Sequence, residues 1–183
     1  MKKGYLKLVM LAALALSASA ANATLYTFNQ TGFEEGASIS GSFELNDLNA
    51  NGHIMAGKPF LGYNLNEISS LTLSFSGNSL VGAFTHTLSD LTLLSYKLSD
   101  NVLGNDLLPA QELIGTNWFS EVGYAYSAGI GTGFGWAEVE DLETGVKSFS
   151  ENNLVVNAVP VPGAVWLFGT GLAGFLGLKR RQA

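Results

Sequence analysis

Four stretches of this chain hold side chains whose types and spacing could do chemistry. In Asp47-Leu48-Asn49-Ala50-Asn51-Gly52-His53-Ile54, oxygen-bearing side chains fall at alternate positions, with glycine sixth and isoleucine eighth. Calcium takes roughly six to eight oxygen ligands, and short carboxylates and amides alternating through a tight turn can converge on one ion. The pattern offers Asp47, Asn49, Asn51 and His53 as calcium ligands. It departs from a complete calcium loop at Lys58, which stands where a glutamate would close the shell, and the residues before it are strand-like. An Asn-Gly turn in a polar connector is the competing reading. The second stretch is Glu138, Glu140, Asp141 and Glu143, following Trp136. On a strand, Glu138 and Glu140 share a face about 7 Å apart, a spacing suited to an acid and a nucleophile in sugar hydrolysis. A solvated acidic rim is the plainer alternative.

The third stretch alternates Gly129, Gly131, Gly133 and Gly135 with Ile130, Thr132 and Phe134. A dinucleotide fingerprint needs glycines one, three and six ahead of a helix, so period-two glycines instead clear one face of a strand or loosen a loop. With Tyr124, Tyr126 and Trp136 close by, a planar sugar ring could lie on that bare face; packing of the same aromatics into the core is the alternative. Fourth, His53 and His86 have no ligand-spaced partner, although Asp90 follows His86 by four. Gly77-Asn78-Ser79-Leu80-Val81-Gly82 is one residue too long for a nucleophile elbow and reads as a turn between strands.

The elements that must position these groups are strands. Ile39, Gly41, Phe43 and Leu45 alternate with Ser38, Ser40, Ser42 and Glu44, and Leu71, Leu73 and Phe75 alternate with Thr72, Ser74 and Ser76, as on half-buried strands. Leu25 to Phe28 opens a strand, and Leu80 to Leu98 holds one or two, with Leu94, Tyr96 and Leu98 on one face. Further strands are expected over 118–130, 135–142, 146–149 and 154–156, with a long loop after Leu45 and a short helix over 107–113, limited by Pro109. Seven to ten short strands broken by Gly, Asn, Asp and Ser predict an all-β domain, a sandwich with jelly-roll character, over residues 24–158.

Charge is unevenly placed. All 15 acidic residues lie between the two ends, where only Lys58, Lys97 and Lys147 oppose them, a formal charge of −12. Such a surface repels nucleic acid and anionic lipid and tolerates cations and neutral sugars. The absence of cysteine removes disulfides, thiolate catalysis and Cys-based zinc sites together, so packing must supply the stability.

Both ends carry addresses. Residues 1–23 read as a secretory signal peptide, with Lys2, Lys3 and Lys7, an apolar run from Leu8 to Leu16, and Ala21-Asn22-Ala23 before the cut; cleavage after Ala20 is the alternative. At the other end, residues 161–178 carry no charge, and 18 residues at about 1.5 Å each reach roughly 27 Å, enough to cross a bilayer's hydrocarbon. Lys179, Arg180 and Arg181 stop the segment and hold its carboxyl end on the cytoplasmic side. Pro160 and Pro162 keep the approach extended, and small residues four apart, Thr170 with Gly174 and Ala173 with Gly177, would let another helix come close. On these properties alone an ordinary single-pass anchor also fits.

The tail resembles the PEP-CTERM sorting signal of Gram-negative bacteria, in its VPxP variant. Val159, Pro160, Val161 and Pro162 match the leading motif, Trp166, Leu167, Gly169, Gly171 and Leu172 the apolar segment, and Arg180 and Arg181 the stop; Val161, Gly163 and Thr170 depart from the commonest residues. The resemblance covers residues 159–183 and implies export through the Sec machinery, signal peptidase, transient residence in the inner membrane and recognition by exosortase, a membrane-embedded cysteine transpeptidase. The E-x-E-x-x-E order at Glu138, Glu140 and Glu143 loosely resembles the E-x-D-x-x-E signature of jelly-roll glucanases, with Glu140 in place of the aspartate and a much shorter body. Two functions are therefore expected. The favoured one is a non-enzymatic cell-surface or matrix protein associated with exopolysaccharide, because the tail accounts for the chain without any catalytic constellation. The other is a small polysaccharide-active glycoside hydrolase using Glu138 with Glu140 or Glu143.

Overall fold

The computed structural model describes residues 23–103, 112–129 and 137–159. The expected signal peptide up to Asn22, most of the expected helix, Trp136 and the tail from Pro160 onward lie outside them. In chain order the strands are β1 Thr24–Gln30, β2 Ile39–Leu45, β3 His53–Gly57, β4 Ile68–Phe75, β5 Phe84–Thr87, β6 Leu91–Lys97, β7 Val102–Leu103, β8 Leu113–Thr116, β9 Tyr124–Ala128, β10 Ala137–Asp141, β11 Val146–Ser150 and β12 Leu154–Ala158. They form two six-stranded sheets, ordered β5-β4-β2-β1-β12-β7 and β11-β10-β9-β8-β6-β3, antiparallel throughout. This is the all-β, sandwich-like architecture that the alternating pattern predicts.

Alternation puts one side of each sheet into a shared core. The first sheet contributes Tyr26, Phe28, Ile39, Phe43, Leu71, Leu73 and Phe75, and the second Ile54, Ala56, Leu91, Leu94, Tyr96, Ile114, Tyr126 and Val139. Tyr96 spans the interface, its ring centroid 5.7 Å from Tyr26 and 5.9 Å from Phe43. Edge-to-face and tilted contacts of this kind let aromatic rings fill the space between sheets without steric conflict. Gly41 breaks the apolar run of β2 for a steric reason: a Cβ there would lie 2.1 Å from the Thr72 carbonyl oxygen and 2.4 Å from the Phe28 ring. Phe28 is its cross-strand partner, so the phenyl ring takes the space the glycine leaves open.

Polar clasps join the two sheets as well. The Tyr126 hydroxyl donates to Gln30 Oε1 at 2.7 Å, and Gln30 Nε2 donates to the Asn152 carbonyl at 2.6 Å, so this buried amide has both ends engaged. His86 Nδ1 meets Thr116 Oγ1 at 2.7 Å, from β5 to β8. The turn Glu34–Gly36 reaches across: the Ser148 hydroxyl and the Phe149 N–H donate to the Glu34 carboxylate, and the hydroxyl and N–H of Ser79 donate to that of Glu35.

Three local expectations change. β3 occupies part of the stretch expected to be a loop, because Ile54 and Ala56 bury against β6 once the chain leaves the polar turn. Leu113 starts β8, whose Ile114 reaches the core, and Glu112 ahead of it is not helical; residues 107–111 of the expected helix are outside the described residues. The strand expected over 118–130 shortens to β9, because Asn117 adopts φ 58° and its side-chain amide donates to the Tyr124 carbonyl at 2.8 Å, folding 117–123 into a turn.

Burial raises the pKa of Glu34, but the hydrogen bonds from Ser148, its own backbone and Phe149 outweigh it and leave the carboxyl below its ordinary 4.5. A lowered folded-state value means stability that is complete above pH 4.5 and lost as pH falls through the folded pKa. Glu34→Gln should therefore melt below wild type at pH 7, and the gap should close as the pH is taken below 4, as read by thermal denaturation across that range.

Candidate functional site

The loop from β2 to β3 gathers the calcium-like side chains by self-capping. Asp47 accepts from the N–H groups of Asn51 at 3.2 Å and Gly52 at 2.7 Å, Asn49 Oδ1 from Asn51 N–H at 3.0 Å, and Asn51 Oδ1 from His53 N–H at 2.8 Å. Gly52 sits at φ 75°, where a side chain would be strained. These bonds draw the oxygens of Asp47, Asn49 and Asn51 around one turn. The His53 ring does not join them: its Nε2 lies 3.0 Å from Ser95 Oγ on β6, so only its main chain belongs to the loop. A residue that local spacing does not point to bonds to this loop. Glu67, buried and just ahead of β4, accepts from Asn49 Nδ2 at 3.1 Å and from Met55 N–H at 3.2 Å, while its carbonyl accepts from Asn46 N–H. Glu67 comes from the next strand connection, a long-range placement with no local signal. Among the described residues no group of three or more His, Cys, Asp or Glu side chains is gathered for a metal, so an ion here would depend on amide and main-chain oxygens.

On β10, Glu138 and Glu140 do share a face. Both reach Lys147 of β11, each carboxylate at 3.2 Å from Nζ. Partial burial lowers the lysine pKa, but the hydrogen bonds and charges of the two glutamates prevail and hold it above the ordinary value. The carboxylates therefore converge on one cation, whereas glycosidase carboxylates face each other across a cleft. Glu143 is exposed in the following turn, where Asp141 Oδ1 accepts its N–H at 3.0 Å and that of Thr144 at 3.2 Å.

The expected sugar-contact aromatics need correction. Tyr126 is completely buried, its hydroxyl tied to Gln30 and its phenol pKa pushed up by burial, so it cannot touch an external ligand. Tyr124 is half-buried with one ring face stacked on Phe84, centroids 5.1 Å apart and planes 15° apart. Tyr126 points inward because β9 is a central strand whose inner face meets the first sheet. The alternating glycines from 131 on and Trp136 lie outside the described residues.

The structure instead exposes an aromatic pair that sequence reasoning missed. Phe60, in the turn Pro59–Leu61, and Phe119, after β8, meet edge-to-face with centroids 5.2 Å apart and planes at 79°. They border an open groove of about 230 Å³ that Lys58, Asp90, Thr92 and Asn117 also line. Each phenylalanine sits in a loop without periodicity, so no sequence signal distinguishes it from a core residue.

His86 and Ser79 each bond to a separate partner, His86 to Thr116 and Ser79 to Glu35. Burial lowers the His86 pKa, with the nearby Asp90 charge and the Tyr124 backbone opposing that only in part. Ser79 lies in the β4–β5 connection, where Asn78 Oδ1 accepts from the N–H groups of Leu80 and Val81, a turn as expected.

The described chain ends beside its beginning. Ala158, the last residue of β12, pairs with Tyr26, and Val159 N–H donates to the Leu25 carbonyl at 2.8 Å. Residues 158–181 match the PEP-CTERM protein-sorting motif, so the motif starts on the last residue of β12. No curated protein and no solved structure matches the chain. No helix of the described residues is long and apolar enough to cross a membrane, and the expected span over 161–178 lies outside them. A chain with this motif is exported, sorted by exosortase and processed at the membrane.

Proposed function

We propose that this chain, which carries a PEP-CTERM sorting motif over residues 158–181, is a non-enzymatic surface or matrix protein whose acidic β-sandwich stays with exopolysaccharide after sorting. The observation that carries the reading is the junction: the motif begins on Ala158, the last residue of β12, while Thr24 starts the neighbouring strand β1. Both processing sites therefore flank one folded unit on adjacent strands, an arrangement that suits a cargo delivered whole. We read Val159-Pro160-Val161-Pro162 as the VPxP form of the leading motif, residues 161–178 as the transmembrane segment and Lys179 to Arg181 as its stop. Intact mass of the protein from producing cells should correspond to a chain starting at Thr24 and shortened at the tail, and a strain lacking exosortase should retain the tail. Equal masses in the two strains would remove exosortase processing.

The alternative hydrolase would use Glu138 with Glu140 or Glu143. The shared ammonium of Lys147 favours an ion cluster on β10 and β11 over that reading. Reducing ends released from the native exopolysaccharide should stay at background for both wild type and Glu138→Gln; release by wild type that the variant abolishes would establish the enzyme.

A calcium ion at the β2–β3 loop is a second reading, favoured by Glu67. The ion would be held by Asp47, Asn49 and Asn51, the His53 main chain and Glu67, and would brace the loop against β4. Extracellular calcium modules work at about 10⁻⁴–10⁻³ M, so a site weak in carboxylates suffices outside the cell. Millimolar calcium should raise the melting midpoint of wild type above its value in chelator and leave Asp47→Ala unmoved; an equal midpoint for wild type in both solutions eliminates the ion.

A further inference from the structure

We propose that the corner formed by Phe60 and Phe119 is a saccharide-contact site that seats one neutral pyranose ring of a polysaccharide chain. This rests on the exopolysaccharide reading above and gives it a place on the body. The two rings are 67% and 65% exposed, the most exposed large apolar side chains among the described residues. They come from different loops, β3–β4 and β8–β9, yet touch edge-to-face at 5.2 Å. An exposed ring on a loose loop would have no fixed partner; these loops are pinned.

Both loops are hung from the start of β6. Lys58 N–H donates to the Thr92 carbonyl at 2.9 Å, Asn117 N–H to the Asp90 carbonyl at 2.7 Å, and Trp118 N–H to Thr92 Oγ1 at 3.1 Å. The Lys58 ammonium is in turn bound by the Ser89 carbonyl. Asp90 is fixed through Oδ2, which accepts from the N–H of Thr87 at 2.8 Å and its hydroxyl at 3.1 Å. A site whose rings and polar groups are held before the ligand arrives loses less conformational freedom on binding.

The chemistry of the corner matches a sugar. A pyranose has an apolar face of C–H bonds with positive partial charge, which suits the negative face of a phenyl ring, and a rim of hydroxyls that need polar partners. One phenyl face can take the ring while the other phenyl, at 79°, borders its side, with Asp90, Asn117 and Lys58 at the rim. The groove, about 230 Å³, falls below the roughly 300–1,000 Å³ of enclosed small-molecule pockets and suits one residue of a longer chain. Lys58 and Asp90 leave the groove without net charge, while the body at −12 repels anionic lipid and acidic polymers, so a neutral saccharide fits better than an anionic membrane surface.

The test uses mature protein recovered from producing cells, run in native gels containing dextran, galactomannan or the exopolysaccharide purified from those cells. Wild type should be retarded by at least one neutral polysaccharide, Phe60→Ala and Phe119→Ala should each weaken apparent affinity about tenfold or more, and Val122→Ala, exposed on the same loop as Phe119, should not. Unchanged melting curves show that the variants are folded. Retardation that survives both phenylalanine substitutions overturns this site and leaves exopolysaccharide association standing; no retardation of wild type in any gel overturns both. Self-association, or sedimentation with phosphatidylcholine vesicles, that Phe60→Ala abolishes would give the corner to a second copy or to a membrane and overturn the proposal.

Discussion

Strand β1 has β2 on one side and β12 on the other, with Tyr26 facing Phe43 across the first pair and Ala158 across the second. The first sheet is therefore closed at its centre by a pairing between the two ends of the body. Pairing of such distant segments must meet the entropy of closing nearly the whole chain before any contact rewards it, so the sheet completes only after β12 is available. The same pairing fixes where the tail departs. Val159 is still hydrogen-bonded to Leu25, and the sorting motif has already begun at Ala158. Folding of the cargo and presentation of its sorting motif are thus joined at one strand.

With no cysteine to cross-link it, the sandwich depends on what passes between its sheets. The aromatic contacts of Tyr96 with Tyr26 and Phe43 remove apolar area from water, and the polar pairs Tyr126–Gln30 and His86–Thr116 cross from one sheet to the other. Gln30 is the clearest case: its amide joins Tyr126 on the second sheet to the loop preceding β12. An apolar residue there would leave the Tyr126 hydroxyl buried without an acceptor, which costs more than the hydrogen bond itself contributes.

The acidic surface is less free than its charge suggests. Glu34 and Glu35 accept hydrogen bonds from Ser148 and Ser79, Glu138 and Glu140 share Lys147, and Asp47, Asp90 and Asp141 cap turns. Carboxylates used in this way hold their own turns in place, while the turns bearing Phe60 and Phe119 are held by main-chain bonds to the Thr92 and Asp90 carbonyls and by the Thr92 hydroxyl. Polar chemistry in this protein serves the scaffold first, and the exposed aromatic corner is what the scaffold presents.

The primary structure on its own determined the strands with clean period-two alternation, since Ile39 to Leu45 and Leu71 to Phe75 have only one face to bury, and it determined the sorting motif, whose residues are contiguous. It also set the acidity and the lack of cysteine, which are properties of composition. Only the tertiary structure decided that Tyr126 faces inward, that Glu67 reaches the Asp47 loop, that Lys147 joins Glu138 and Glu140, and that Phe60 meets Phe119. Periodicity reports that a strand has an inner face, but which distant segment covers it depends on sheet order and on loops that carry no period, so contacts between residues far apart in the chain exist only once the two sheets have packed.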